Sequence, residues 1–180
     1  MARAGRNRKT GLREPNGRIQ RKPETPWTPE IVARRTELAG EEKALDPKAG
    51  EALGVLFHRG AIDQRQYDAG IAFERFHRSW RAMAGVKHPW EIPQGAGHAV
   101  EEKDWVRARD RMRVILALIN GLSGSRLVRA AIESFVIDGL LPPIVEQELR
   151  QRASGVRIHP ALVALQSGLG AIAPVFLSKS

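Results

Sequence analysis

The basic side chains near the N-terminus are the residues of this sequence whose type and spacing best suit a defined chemistry. The first 25 residues contain eight Lys/Arg and two Glu, so they hold +6 of the chain's formal net charge of +9. Guanidinium groups pair bidentately with phosphate, and each neutralised phosphate releases counterions. We therefore predict that nucleic acid is contacted by Arg3, Arg6, Arg8, Lys9, Arg13, Arg18, Arg21 and Lys22.

This basic arm carries no sequence specificity of its own, because phosphate contacts position a protein without reading bases. Three alternatives stay open for it: an acidic protein surface, an acidic membrane surface, or a tail that only adds solubility. We predict that residues 1–27 are disordered when unbound, since glycine, proline, asparagine and arginine dominate and bulky aliphatic residues are rare.

A second group of candidate residues lies in a stretch that resembles a helix-turn-helix. One helix is predicted to end at 58–60, and Asp63 caps a longer helix whose first residues are Gln64, Arg65 and Gln66. A recognition helix presents this end to base edges, and amide and guanidinium groups suit adenine and guanine. The alternative is an ordinary helical hairpin, which uses the same glycine and cap, and nearby aspartates favour that interpretation.

Two further stretches of the sequence suggest a structural role more than nucleic-acid binding. Arg107, Arg109, Arg111 and Arg113 alternate along one predicted helix, so they do not share a face, and we expect an ion-paired, solvated surface. The helices around 138–142 also suggest a helix-turn-helix, but the second one mixes acidic and basic residues, which suits protein packing.

No residue pattern in the sequence indicates a catalytic site or a metal site. The five histidines follow no zinc spacing, and the absence of cysteine excludes disulfides and thiolate ligands. No phosphate-cradling loop and no nucleophile elbow occurs. We therefore predict that the protein is not an enzyme and has no metal site and no cofactor.

Hydrophobic periodicity predicts an all-α fold. Apolar residues recur at three- and four-residue steps between capping residues and glycines, and no segment alternates as a strand does. The predicted helices are 29–39, 47–59, 64–84, 100–120, 125–137, 143–153 and 160–172.

Proline and glycine between 86 and 99 predict a linker between two small helical sub-units. The expected organisation is a basic arm over 1–27, helical units over 28–85 and 100–173, and an apolar tail over 174–180. Trp27 and Trp90 lie in proline-rich surroundings, where they suit the core, a base or a partner protein.

The chain has no cysteine, no uninterrupted apolar run of membrane-spanning length, and no apolar leader at its start. These features predict a cytoplasmic protein without membrane contact.

Two stretches carry a resemblance to a known group of proteins. RAGRNRKTGLREPNGRIQR lies in the arm, and LGVLFHRGAIDQRQYDAGIAFERF lies in the helix-turn-helix-like pair, where the pattern rests on Leu53, Gly60, Ile62, Gln66, Tyr67 and Gly70. Together they resemble small basic helical proteins encoded by phages and prophages of alphaproteobacteria. The resemblance implies a phage-related nucleic-acid role, such as control of late transcription or DNA packaging.

The sequence thus favours an accessory DNA-binding protein, a transcription regulator of phage type whose arm supplies affinity. One alternative is a helical protein-interaction module of a larger machine, such as RNA polymerase or a DNA-packaging complex. The other is an RNA-binding protein, since Arg/Gly arms also fold on RNA.

Overall fold

The computed structural model describes residues 27–85, 88–93, 101–151 and 159–177, which form seven α-helices and no β-strand. The predicted all-α fold is confirmed. The helices are α1 (Pro29–Ala39), α2 (Ala52–His58), α3 (Gln64–Ala84), α4 (Glu102–Asn120), α5 (Ser125–Ile132), α6 (Pro143–Gln151) and α7 (Pro160–Leu177). The predicted disordered arm, except Trp27, and much of the predicted linker over 86–99 lie outside the described residues.

Helices α1 and α3 begin and end at the predicted residues, because their capping groups are strong local signals. The Thr28 hydroxyl accepts a bond from the backbone N–H of Ile31 at the start of α1. The Asp63 carboxylate accepts a hydrogen bond from the backbone N–H of Gln66, and the Gln66 side-chain oxygen accepts one from the backbone N–H of Asp63. Together the two bonds form a capping box. Gly85 ends α3 in the left-handed conformation, with φ of 64°.

The prediction of one continuous helix over 47–59 is corrected by the structure. Pro47–Gly50 forms a 3₁₀ turn, Glu51 is extended with φ of −111° and ψ of 147°, and only then does α2 begin. Gly54 lies directly against the Lys48 backbone carbonyl, where a Cβ atom has no room. The turn therefore folds back onto α2 instead of continuing it.

The ends of α5 and α7 also differ from prediction, whereas the structure does not test the predicted end of α6. α5 stops at Ile132, and Glu133–Ile137 forms a single π-helical turn; the last two residues predicted for α6 lie outside the described residues. α7 continues five residues beyond the predicted end at 172 despite Pro174, which cannot donate a bond to the exposed residue Gly170. Water can donate a hydrogen bond to the exposed Gly170 carbonyl instead, so Pro174 destabilises α7 less than a proline would destabilise a buried helix.

The main hydrophobic core is built around α7, which packs against α3, α4 and α5. Two buried glycines allow these helices close approach. A Cβ atom on Gly70 of α3 would lie 2.7 Å from a Leu53 methyl carbon, and one on Gly168 of α7 would lie 2.7 Å from Val128 and 2.8 Å from Ile132. At such distances a methyl group would force the Leu53, Val128 and Ile132 side chains to shift, so glycine allows the closest packing at both positions.

A second, smaller cluster joins the end of α3 to the start of α4. The rings of Trp80 and Trp105 stack with centroids 5.1 Å apart and planes 7° apart, and Met112 is completely buried beside them. The main core already combines residues from 28–85 and 100–173. The two predicted sub-units therefore share one interior.

Among the described helices, only α7 is long and apolar enough to cross a membrane, with a mean hydropathy of 1.7. Gln166 and Ser167 interrupt this helix, so it contains no uninterrupted apolar run of membrane-spanning length. In the fold, one face of α7 is buried against three other helices, and the core helix of a folded domain passes the same test.

Candidate nucleic-acid interface

The positive charge of this chain is concentrated outside its described body. The described residues contain 17 Lys/Arg and 18 Asp/Glu, a net charge of −1 with histidine neutral. The excess responsible for the total of +9 therefore falls in the remaining segments, above all in the first 25 residues. The eight arm residues predicted to contact nucleic acid all lie outside the described residues, and their placement is not part of the structure.

The point at which the arm joins the body is well defined. Trp27 is half-buried, and the guanidinium carbon of Arg35 lies 3.8 Å from the centroid of its ring, a cation–π contact. The Arg35 guanidinium also lies against Gly50, where a Cβ would collide with it. Of the roles open to Trp27, the structure thus shows packing against the body, which fixes where the basic arm starts.

The α2–α3 pair has the local geometry of a tight helical corner. Gly60 adopts φ of 68°, and the Ala61 N–H donates to the Leu56 carbonyl at 2.8 Å, which closes the end of α2. Ile62 is only 3% exposed, so it fills the angle between the two helices. α2 has seven residues and α3 has 21, so the corner joins a short helix to a long one.

The three candidate base-reading residues at the start of α3 differ in accessibility. Arg65 is exposed, and Gln64 is exposed with its amide donating to Asp68 at 2.7 Å. The side-chain oxygen of Gln66 accepts from the Asp63 N–H at 3.0 Å, and its amide donates to the Gln166 carbonyl at 3.2 Å. A base contact by Gln66 would break both bonds, whereas Gln64 and Arg65 face solvent.

Further along α3, exposed arginines continue the basic character of its outer surface. Arg78 pairs with Glu74, while Arg75 and Arg81 have no carboxylate within 4.0 Å among the described residues. These residues follow one another at three-residue steps. Arg78 and Arg81 line a cavity of about 260 Å³ beside the π-helical turn.

The alternating arginines of α4 are only partly ion-paired. Arg109 and Arg113 each lie 3.6 Å from the Asp110 carboxylate, as the solvated-face interpretation expects. Arg111 instead lies over two aromatic rings, 5.8 Å from the centroid of Phe76 and 5.3 Å from that of Phe176. The sequence does not reveal this contact, because the three residues belong to three different helices.

The α6 charges bond within the protein. Glu146 accepts from Arg150 on its own helix at 2.8 Å and pairs with Arg34 of α1 at 3.4 Å, while Arg150 also lies 3.6 Å from Glu37. These pairs tie α6 to α1. This is the packing role that the mixture of charges in α6 suggests.

A shallow groove runs along the body between α1, α3 and the end of the π-helical turn. Its two larger cavities measure about 400 and 310 Å³ and share walls at Gly50–Ala52 and Gly139. Arginines line it, but so do Glu51, Glu74 and Asp138. With charges of both signs, the groove does not form a track for polyphosphate.

Two buried titratable groups have shifted pKa values and structural roles. Burial lowers the pKa of His77, which is 2% exposed and contacts the Pro89 carbonyl at 3.0 Å. The pKa of Tyr67 is raised mainly by burial, and the negative charge of the nearby Glu51 carboxylate is the second cause. Trp90 packs on Phe73 beside His77, so the described part of the linker is anchored to α3.

Within the described residues, no three His, Cys, Asp or Glu side chains come together in a group suited to a metal ion. Fold and site therefore define an all-α protein with a near-neutral helical body and a strongly basic N-terminal sequence. No protein-family model, no curated protein and no solved structure matches this chain.

Proposed function

We propose that this protein binds nucleic acid through its basic N-terminal arm and acts as an accessory DNA-binding protein, a transcription regulator of phage type. The observation that carries the proposal is the segregation of charge. Eight Lys/Arg occupy the first 25 residues, while the described body has a net charge of −1. A chain that needed only solubility would not require one sign of charge to be concentrated in one segment.

In this proposal the body positions the arm. Trp27 holds the arm's origin on α1 through Arg35, and Gln64 and Arg65 at the start of α3 are exposed polar groups of a type that meets bases. The arm supplies affinity for duplex DNA of any sequence, and the α2–α3 corner supplies orientation.

The salt dependence of binding tests the proposal. If all eight arm cations neutralise phosphates of duplex DNA, the slope of log K against log salt is about −7, since each contact contributes about −0.9. We expect fluorescence anisotropy with labelled duplex DNA to give a steep slope of this order, and weaker, shallower binding to single strands and RNA. Tighter binding to RNA than to duplex DNA would favour the RNA-binding alternative.

Matched charge variants separate the arm from the body. Replacing Arg3, Arg6, Arg8 and Lys9 by Gln should reduce the salt slope by about 3.6 units if each contacts a phosphate. The control replaces four exposed body cations outside α3, Lys43, Lys103, Arg107 and Arg126, by Gln, and removes the same charge. Equal losses in the two variants would contradict the proposal that the arm supplies the contacts.

One observation favours a second candidate, a protein-interaction module of a larger machine such as RNA polymerase or a DNA-packaging complex. Ile31 and Leu140 are 43% and 61% exposed and line the same cavity of about 400 Å³, beside Arg34. Large aliphatic side chains of this exposure at the mouth of a cavity suit a partner's apolar residue. Retention of one stoichiometric partner after nuclease treatment, and its loss in Leu140→Glu, would support this candidate.

A further inference from the structure

Three arginines line the two larger cavities of the groove, and each already has a partner on the body. Arg34 lies 3.4 Å from the Glu146 carboxylate, the Arg35 guanidinium lies on the Trp27 ring, and Arg78 pairs with Glu74. These positive charges are therefore engaged within the protein.

Glu51 and Asp138 are the carboxylates of these two cavities that have no counter-ion on the body. Both residues are exposed, and both line the cavity of about 310 Å³. Among the described residues, no Lys, Arg or His nitrogen lies within 4.0 Å of either carboxylate. The groove thus presents two uncompensated negative charges to a basic group.

The basic arm joins the body at the wall of this groove. Trp27 packs on Arg35, which lines the cavity of about 400 Å³. The Arg35 guanidinium also lies against Gly50, which lines both cavities. The point where the arm begins is therefore part of the groove itself.

The segment that precedes Trp27 is long enough to reach both carboxylates. Five extended residues, from Trp27 back to Lys22, span up to about 17 Å. Glu51 and Gly139, the neighbour of Asp138, line the same cavity at which the arm begins. A cavity of about 400 Å³ is narrower than this span, so the distance does not prevent contact.

The composition of this segment matches the groove. Residues 18–26 read RIQRKPETP, which contains three cations, one acidic residue and two prolines. Proline favours an extended chain, which can lie along a groove. At the cavity of about 400 Å³, Ile31 and Leu140 leave apolar surface exposed, and Ile19 and the prolines are suited to cover it.

We infer that residues 18–26 dock into this groove when no nucleic acid is bound, and that Arg18, Arg21 and Lys22 pair there with Glu51 and Asp138. The same three cations belong to the eight that we assign to nucleic acid, so docking and DNA binding compete for them. This competition rests on the proposed function, whereas the docking itself does not. The groove is then an autoinhibitory site, and DNA relieves the inhibition by taking up the arm.

Weak contacts suffice for this docking because the segment is tethered to the groove. Exposed ion pairs are individually weak and are screened by salt. A short connection holds the segment at an effective concentration in the millimolar range, so a few such contacts populate the docked form without the contact area that two separate molecules need. Docking of this kind should be lost at high salt.

Zero-length cross-linking of the full chain tests the docking without nucleic acid. A carbodiimide joins an amine to a carboxylate only where the two groups touch, and the first 26 residues contain two lysines, Lys9 and Lys22. At about 50 mM salt, where ion pairs are weakly screened, mass spectrometry of the nuclease-treated monomer should show Lys22 joined to Glu51 or Asp138. At about 0.5 M salt, these cross-links should fall several-fold.

The distribution of the cross-links distinguishes docking from random encounters. Equal cross-linking of Lys22 to exposed carboxylates that line neither cavity, such as Glu41 and Glu42, would overturn the inference. Cross-links from Lys22 to the groove that occur only in covalent dimers would also overturn it, because the arm of a second copy would then be the occupant.

The affinity for duplex DNA tests the competition with two matched variants. Glu51→Gln/Asp138→Asn removes the two free charges of the groove, and Glu102→Gln/Asp104→Asn removes the same charge at exposed positions that line neither cavity. We expect the first variant to bind labelled duplex DNA about three- to ten-fold more tightly than the wild type, since exposed ion pairs are individually weak. Equal gains in the two variants would reduce the effect to net charge and overturn the competition.

Failure of the docking and failure of the proposed function give different results. If the groove cross-links form but the wild-type chain does not bind DNA, the docking stands and the proposed function falls. If the chain binds DNA but Lys22 forms no cross-link to the groove, the docking falls alone. Both variants should keep the urea midpoint of the wild type, because Glu51 makes no side-chain capping bond and the other three residues are exposed.

Discussion

Leu169 tests whether the two halves of the chain form one cooperative unit. Its side chain is completely buried in the main core, and a Cβ on Gly70 would lie 3.4 Å from its Cδ2 atom, which places it at the contact between α7 and α3. Replacing it by alanine removes three buried carbon atoms and leaves a cavity. Fully buried Leu→Ala changes cost about 2.7–5.0 kcal/mol.

Close packing on α3 makes collapse of that cavity difficult, so we expect Leu169→Ala to lower the free energy of unfolding by about 3–4 kcal/mol. With a urea dependence of about 2 kcal/mol per molar, the unfolding midpoint should fall by roughly 1.5–2 M. Leu140→Ala is the matched control: Leu140 is 61% exposed. Its change should stay within about 0.5 kcal/mol.

Two probes distinguish a shared core from two independent units. Far-UV circular dichroism reports all helices, whereas tryptophan fluorescence reports the surroundings of four side chains, including Trp80 of one half and Trp105 of the other, which stack. If the halves unfold together, both transitions shift equally in Leu169→Ala. A shift seen by one probe only, or a loss below about 1 kcal/mol, would refute the account of α7 as the element that joins the halves.

Three further predictions concern single residues. Gly168→Ala should destabilise the fold by about 1–3 kcal/mol in urea unfolding, because its methyl group would press on Val128. Asp63→Ala should cost about 0.5–2 kcal/mol through loss of the α3 cap, and an unchanged urea midpoint would contradict this. The free energy of unfolding should fall as the pH drops below 6.5, because burial lowers the pKa of His77 and the unfolded chain then binds a proton that the folded chain does not. The charge of Arg81 also lowers this pKa, whereas the hydrogen bond to the Pro89 carbonyl raises it. The variant His77→Gln should lack this part of the pH dependence.

Much of the fold follows from local signals in the sequence. The cap at Asp63, the glycine at Gly85 and the apolar period between them determine both ends of α3, because capping and amphipathicity act over a few neighbouring residues. Charge segregation is likewise a property of composition, so the candidate arm is visible without any structure. The break at Glu51 escaped prediction, because it depends on the Lys48 carbonyl lying against Gly54.

Tertiary contacts decide which residues of the candidate site are held within the protein and which face solvent. The sequence sets Gln66 apart from Gln64 and Arg65 only by its capping-box position, yet Gln66 also meets the Gln166 carbonyl, 100 residues away, and is thereby held in the protein. The shared core of the two halves arose in the same way. A sequence specifies which face of a helix is apolar, but which part of that face is covered is decided by the other helices that pack there, and their positions follow from contacts between residues distant in the chain.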